Sequence, residues 1–500
     1  MKLRILSIFF ISFIALSCSK EVERTSLKPL VPTSNEPNAG NWKMYIGQPT
    51  DYTIPAPKET SSAEYKAELA DAQKISANLT AAQKSALTYW QVGSVSRWNE
   101  IARELIARYN LAPEPNDNGT YSAPNSAKPD TLPYFPFANP PYASRAYALI
   151  SVAQYDALVA TWAYKFKYNR KTDADNLPDY PSEEAVIAAA SSRVLKFLFP
   201  GSYPTQLIDN KYEEGRQVGI WAGKNVKSDI DAADILGKAV ADKIIAYAKA
   251  DGTGTAGGSL VIQSQLADAA VGRGLKTAWK SLDVPARPGM LMKFGEVKTW
   301  NFDKATRDAI RPAAPPALDS DAFKKDLAEV KHYSENITRK QWSIVQFWAD
   351  GLGTSTPPGH WNQIALDLLR DASFSEIRMA RTLALMNTAI HDAGVCCWDT
   401  KYYYFYPRPN QVDPSIKTAT GTPNFPSFTS GHATFSAAAA TVLSYIFPNQ
   451  QSSLEAMAKE ASESRIYGAI HYRFDSEVGL ACGKKIGDYA VARGKTDGGN

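Results

Sequence analysis

The segment from Arg145 to Tyr168 returns as Arg381 to Tyr404 at a constant offset of 236 residues, sharing Arg, Ala, Leu, Asp, Ala, Val, Trp, Lys and Tyr positions. Asp156 pairs with Asp392 and Trp162 with Trp398. The repeat extends to both sides. Tyr89-Trp90 matches Phe347-Trp348, Trp98-NEIAREL matches Trp361-NQIALDL, and Tyr180-Pro181-Ser182 matches Phe425-Pro426-Ser427. Each copy then runs through an alanine-rich stretch to Phe-Pro, at Phe199-Pro200 and Phe447-Pro448. Apolar spacing is helical from Ala86 to Asn110 and from Ser144 to Arg170, further helices are expected at about 181–199 and 228–250, and no run alternates as a strand does. A duplicated helical unit buries each copy's apolar face against its own elements and against the other copy. The expected class is therefore all-α, with two duplicated helical bundles packed together. A chain of 500 residues, 44% hydrophobic and 21% charged, has the apolar material for such cores.

These patterns divide the chain. Residues 46–250 read as an N-terminal bundle, with a proline-rich loop at about 111–142 inside it, and 331–500 as a C-terminal bundle. Between them, 251–330 is a glycine- and proline-rich connection, and its Leu291, Phe294, Trp300 and Phe302 imply that it wraps the bundles. At the start, Lys2 and Arg4 precede an apolar run from Ile5 to Leu16, the layout of an export signal over residues 1–17 that is too short to span a bilayer. Ala15-Leu16-Ser17-Cys18 resembles a bacterial lipoprotein cleavage site, with Ala15 departing from the commonest pattern. The resemblance implies lipidation of Cys18, a polar tether over 18–45 and a place in the cell envelope; ordinary secretion is the alternative. A net charge of +4 from 55 basic and 51 acidic residues points to neither nucleic acid nor a charged membrane surface as partner. Membrane contact is expected through the lipid anchor only. Cys396, Cys397 and Cys482 form no disulfide framework. The adjacent pair suits buried helix packing, with a bridge to Cys482 left open.

The two copies differ where chemistry would sit. All five histidines lie at 332 or beyond, and the first copy has no counterpart of Arg408, Arg465, His471 or the Ser-Gly-His insert. The first bundle thus reads as scaffold and the second as the carrier of a site. Its residues fall in three blocks: Lys401-x6-Arg408-Pro409, Ser430-Gly431-His432, and Ser464-Arg465-x5-His471-x3-Asp475. A small tetrahedral oxyanion buried from water needs its charge balanced and its oxygens met by donors. Lys401, Arg408 and Arg465 supply charge, and the arginine fork suits oxyanions bidentately. Ser430 reads as the N-cap of an alanine-rich helix whose free amides around Gly431 would face the anion. His471 and Asp475, four apart, share a face if that segment is helical, and the carboxylate would orient the imidazole. His432 is left as an acid–base group.

In combination the blocks resemble the signature of the superfamily that unites type 2 phosphatidic acid phosphatases, bacterial acid phosphatases and vanadium-dependent haloperoxidases. FWADGLGTSTPPGHWNQIA at 347–365 and the two-bundle duplication are similar to the bacterial haloperoxidase branch, so the resemblance covers most of the chain from about residue 80. It implies His471 as the axial ligand of vanadate with Asp475 behind it, equatorial oxygens held by Lys401, Arg408, Ser430, Gly431 and Arg465, and His432 handling peroxide. The implied activity is oxidation of halide by hydrogen peroxide. An exported acid phosphatase acting on a phosphoester is the alternative, with no vanadate and with His471 attacking phosphorus. A non-catalytic surface lipoprotein binding glycans through its 25 Tyr and 11 Trp is a second alternative. Trp398 and Phe425 fall where chloride-oxidising haloperoxidases place aromatics beside the halide; core packing is the competing role, which Trp162 in the scaffold copy supports. His360, in a loop absent from the first copy, is a candidate pocket residue. His332 and His391 carry no functional expectation.

Overall fold

The computed structural model describes residues 27–171 and 177–500. The expected export signal and Cys18 lie outside the described residues. Among those described, the secondary structure is helical, with one isolated bridge between Pro115 and Tyr121. The first copy holds α1 (Ala63–Ala77), α2 (Ala81–Trp90), α3 (Ser94–Tyr109), α4 (Pro140–Tyr168), α5 (Glu183–Leu198), α6 (Ser202–Trp221) and α7 (Lys227–Lys249). The connection contains α8 (Leu260–Gly272), α9 (Lys304–Ile310) and α10 (Asp321–Asn336). The second copy follows as α11 (Arg339–Phe347), α12 (Thr356–Asp371), α13 (Glu376–Tyr404), α14 (Pro409–Val412), α15 (Gly431–Ile446), α16 (Gln451–Tyr467) and α17 (Arg473–Gly494). No described helix is long and apolar enough to cross a membrane.

The repeated segments become α4 and α13, two 29-residue helices packed on each other at the centre. Both end on a residue with positive φ, Asn169 at 47° and Phe405 at 53°. Equivalent side chains make equivalent bonds. Asp156 accepts the amides of Tyr45 and Ile46, and Asp392 those of Trp300 and Asn301. Arg145 pairs with Asp251 as Arg381 pairs with Asp497. Across the join, Asn99 donates to Asn362, and Asn387 donates to both Asn362 and Ser151, a buried polar ladder that fixes α3, α12, α13 and α4 in one register.

Some local expectations change. Ala86 to Asn110 is two helices, because Gly93 takes φ 110°, a conformation that favours glycine, and the carboxylate of Glu376 caps the amides of Ser94 and Val95 beyond it. Residues 27–45, expected as part of a loose tether, are seated on the body: Trp42 and Met44 are buried, Leu30 bonds Gln91 and Glu36 pairs with Arg378. Cys396, Cys397 and Cys482 are free thiols, the first two buried on α13.

The packing that matters for the site is α15 against α17. Glycines recur every fourth residue on α17, and a Cβ on Gly483 would fall 2.3 Å from the carbonyl of Thr434, one on Gly479 3.0 Å from that of Ser430. Only glycine permits this approach. It brings the first turn of α15 against the turn that opens α17, where the amide of Ser430 donates to the carbonyl of Asp475 at 2.9 Å.

Candidate active site

Five elements converge on one point. Lys401 projects from the last turn of α13, Arg408 caps α14, Ser430 caps α15, Arg465 lies in the last turn of α16, and His471 precedes the cap of α17. All five, with Asp475, are at most 2% exposed. The structure therefore gathers the three sequence blocks into one buried cluster.

The His471–Asp475 contact does not arise from a shared helical face, because α17 begins only at Arg473. Asp475 occupies the third helical position and its Oδ2 turns back to accept the amide of Tyr472, Nδ1–H of His471 at 2.8 Å and the hydroxyl of Ser427 at 2.6 Å. A carboxylate on Nδ1 assigns the tautomer and leaves the lone pair on Nε2. That nitrogen lies 3.0 Å from Nη1 of Arg408. Ser427 stood out in the sequence only as the repeat counterpart of Ser182; its role was not legible, since no spacing rule ties it to a carboxylate 48 residues on.

Arg408 is braced by the carbonyls of Phe425 and Ile470, while its Nη2 is buried without a partner. Arg465 is braced by the Ser464 hydroxyl and the Val345 carbonyl. Lys401 differs from the expectation: its ammonium donates to the carbonyls of Pro426, Ser427 and Thr429, so it holds the loop before α15 and contributes charge there. Ser430 caps Ala433 as expected. Gly431 and His432 then open α15 with amides that have no helical carbonyl one turn back. Nε2–H of His432 donates to the carbonyl of Trp348 at 2.9 Å, leaving its lone pair on Nδ1.

Burial dominates the electrostatics. It pushes Lys401 down to about 7 and Arg408 and Arg465 down to about 10, and it holds His432 and His471 well below the usual imidazole range, with nearby cations adding to the effect. Asp475 is pushed up to about 6 by burial, against the opposing pull of Ser427 and Lys401. Three buried cations face two carboxylates, Asp475 and Asp350, the latter acting on Arg465. Desolvated positive charge of this kind is costly unless an anion shares the site. A tetrahedral oxyanion fits: it would balance the excess and give the unpartnered Nη2 of Arg408 an acceptor.

The cluster floors a cavity of about 350 Å³ reached by Gly431, His432, Arg465 and His471. Trp398 and Phe425, 5.0 Å apart between ring centroids, form an apolar wall with Phe435 and Met290. Trp398 is held by its indole N–H on the Met290 carbonyl. Asp350, at positive φ of 43°, also lines the cavity. Sequence reasoning missed it, although it stands where the repeat places Val92. His360 does not line the cavity; its Nδ1 lies 3.1 Å from Asp350 and its ring stacks on Trp348 at 4.4 Å. His391 is buried beside Lys298 and pushed down to about 4, and His332 is exposed.

The first copy supplies an internal control. Asp229 occupies the place of Asp475 and caps Val226 in the same way, Asn225 replaces His471 and Gly219 replaces Arg465. The amide oxygen of Asn225 lies 2.2 Å from where a Cβ on Gly219 would be, and Arg170 pairs with Asp229 at 2.7 Å. The equivalent pocket is thus filled and neutralised, while the scaffold around it persists.

Residues 381–487 match the family model described as PAP2 superfamily. A curated relative, the vanadium chloroperoxidase of Curvularia inaequalis, is 30% identical over 184 residues, covering 30% of this chain and 27% of that protein, so the match spans about a quarter of the relative's length. The fold resembles the first bacterial vanadium-dependent iodoperoxidase solved, with TM-score 0.59 and 23% identity over 80% of this chain and 95% of that one. It also resembles a bacterial vanadium-dependent chloroperoxidase in its holo form, with TM-score 0.51 and 11% identity over 77% of this chain and 98% of that one.

Proposed function

We propose that this chain is a vanadate-dependent haloperoxidase of the PAP2 superfamily, oxidising halide with hydrogen peroxide. The observation that carries the reading is one small cavity that joins an apolar aromatic wall to Arg465 and His471, with Arg408 buried behind His471. An oxyanion would sit on Arg408, Arg465 and the amides opening α15, beside Nε2 of His471. Bound vanadate would supply the Lewis-acidic centre at which peroxide is made electrophilic toward halide.

The chain's own residues do the rest. Asp475 holds the proton on Nδ1 of His471, so Nε2 is presented with its lone pair. Arg408, Arg465 and Lys401 provide positive charge in a water-poor site, where it acts strongly and needs no reorganisation. His432, kept neutral by burial, presents a basic Nδ1 able to accept a proton from peroxide and return one to the departing oxygen. Trp398 and Phe425 exclude water and offer a weakly solvating surface to a halide ion.

A phosphatase reading has one observation in its favour: the same His471–Asp475 geometry presents Nε2 for attack on phosphorus. The apolar wall favours the halide reading. The test is turnover of a dye to its brominated or iodinated form by vanadate-loaded protein with peroxide, compared with His471→Ala. Vanadate-dependent turnover absent from the variant supports the proposal, and no turnover with iodide, bromide or chloride rejects it. The expected export signal and Cys18 anchor would set this chemistry in the cell envelope.

A further inference from the structure

In the second copy α12 and α13 are joined by residues 372–375; in the first, the equivalent α3 and α4 are joined by residues 110–139. A loop of this length, ordered only by the single Pro115–Tyr121 bridge, is uncommon in a compact protein and usually has a function. Its start and end lean on the other copy. Asn110 donates to the carbonyls of Gly351 and Thr354, and Asn110, Ala112 and Phe137 line the cavity above His432 and His471.

Outside the mouth the same loop bounds a second hollow, of about 980 Å³, against Tyr203 and Leu352. Ala112 and Leu352 line both spaces, so the outer hollow adjoins the inner cavity across these two side chains. Its rim concentrates exposed apolar side chains: Leu132 is 77% exposed, Leu352 62% and Tyr134 47%. Clustered exposure of this kind marks a binding surface. The Tyr203 ring is held by the Arg108 guanidinium 3.7 Å from its centroid. Arg108 faces two carboxylates, Glu114 and Asp130, so in contrast to the inner floor the hollow has no positive excess and repels organic anions. Carboxylates accept hydrogen bonds and donate none, which suits a ligand bearing a hydroxyl.

We propose that this hollow is the binding site for a neutral phenol-class aromatic that accepts halogen from the inner cavity. The inference rests on the halide-oxidising reading above. The phenol ring packs on Leu132, Tyr203 and Leu352 with its hydroxyl donated to a rim carboxylate, next to the cavity in which hypohalous acid would form. The ring carbon then bonds to halogen, the halogen–oxygen bond breaks with its electrons passing to oxygen, and the proton lost from that carbon joins the hydroxide to leave as water.

The test uses the full-length protein with thymol as probe and benzoate as anionic control. Saturable thymol binding, measured by calorimetry without peroxide or halide, should weaken at least tenfold in Leu132→Asp and in Tyr203→Ala, two rim positions whose exposure permits folding, checked by circular dichroism. The KM for thymol bromination should rise by a similar factor, lowering the ratio of thymol bromination to tribromide formation. No saturable binding, equal binding of benzoate, or unchanged affinity in both variants overturns the proposal. If no halide is oxidised at all, the functional reading above fails, and the thymol affinities still decide whether the hollow binds phenols.

Discussion

Arg408→Met removes the most informative side chain of the cluster. Its guanidinium is buried, pushed down to about 10, and holds the carbonyls of Phe425 and Ile470 and Nε2 of His471, while Nη2 has no partner within the chain. Methionine relieves a desolvated charge, often neutral or favourable, and strands three acceptors, at about 1–3 kcal/mol for each left unsatisfied. These effects oppose each other, so anion-free stability should move less than ligand binding does. With an oxyanion bound, loss of a desolvated charge-assisted donor costs about 2–5 kcal/mol, which raises Kd roughly 30- to 5000-fold. At orthovanadate equal to 100 times the wild-type Kd, stabilisation of about 2.7 kcal/mol in the wild type should fall below about 1 kcal/mol in the variant. Calorimetry and thermal unfolding with and without orthovanadate read both quantities. Arg408→Lys, which keeps charge and loses the fork, should lie between. A vanadate Kd for Arg408→Met within threefold of wild type would refute the assignment of this side chain to the anion.

Ser427→Ala removes a donor that holds Asp475 down, so the carboxyl, already at about 6, rises further and the acid limb of the activity profile moves to higher pH; a neutral-pH stability loss of about 1–3 kcal/mol should accompany it in denaturant unfolding. His432→Ala should change vanadate affinity less than about tenfold, because the neutral ring supplies no charge, while steady-state turnover falls roughly 10²- to 10⁴-fold. Asp156 and Asp392 are each raised by burial to about 7, above the unfolded value of about 4. Their contribution is therefore fully present below about pH 4 and lost as pH rises through about 7. Unfolding free energies of Asp392→Asn across that window should slope less with pH than those of the wild type.

The helical class and the central pair α4 and α13 were legible because a buried helix writes its period into the chain, and here it does so twice. The buried cationic cluster was legible for a related reason: Arg408, Arg465, His471 and the Ser430 cap are short-range patterns, and the copy lacking them marked them as additions to the scaffold. What escaped depends on contacts between distant segments. Ser427 acquires its role only when α17 folds back on α15, and Asp350 only when the segment after α11 closes over Arg465. Lys401 was expected on the anion, but the loop from Pro426 to Thr429 surrounds its ammonium with carbonyls, which no local pattern announces. α6 went unrecognised because its sequence shares little with α16, although Glu214 and Glu460 bond the indoles of Trp90 and Trp348 alike. The 110–139 loop read as a connection within its own bundle; only the packing of α4 on α13 carries it over the other copy's cavity.

One titration bears on the whole account. Protein stripped of bound anions is brought stepwise to excess orthovanadate, and at each step bromide or iodide oxidation by hydrogen peroxide and hydrolysis of an aryl phosphate are measured on the same sample. Halide oxidation should rise from zero and saturate at one vanadate per chain, while any phosphate hydrolysis declines over the same range as vanadate takes the shared floor of Arg408, Arg465 and His471. Phosphate hydrolysis without halide oxidation at any vanadate loading would contradict it.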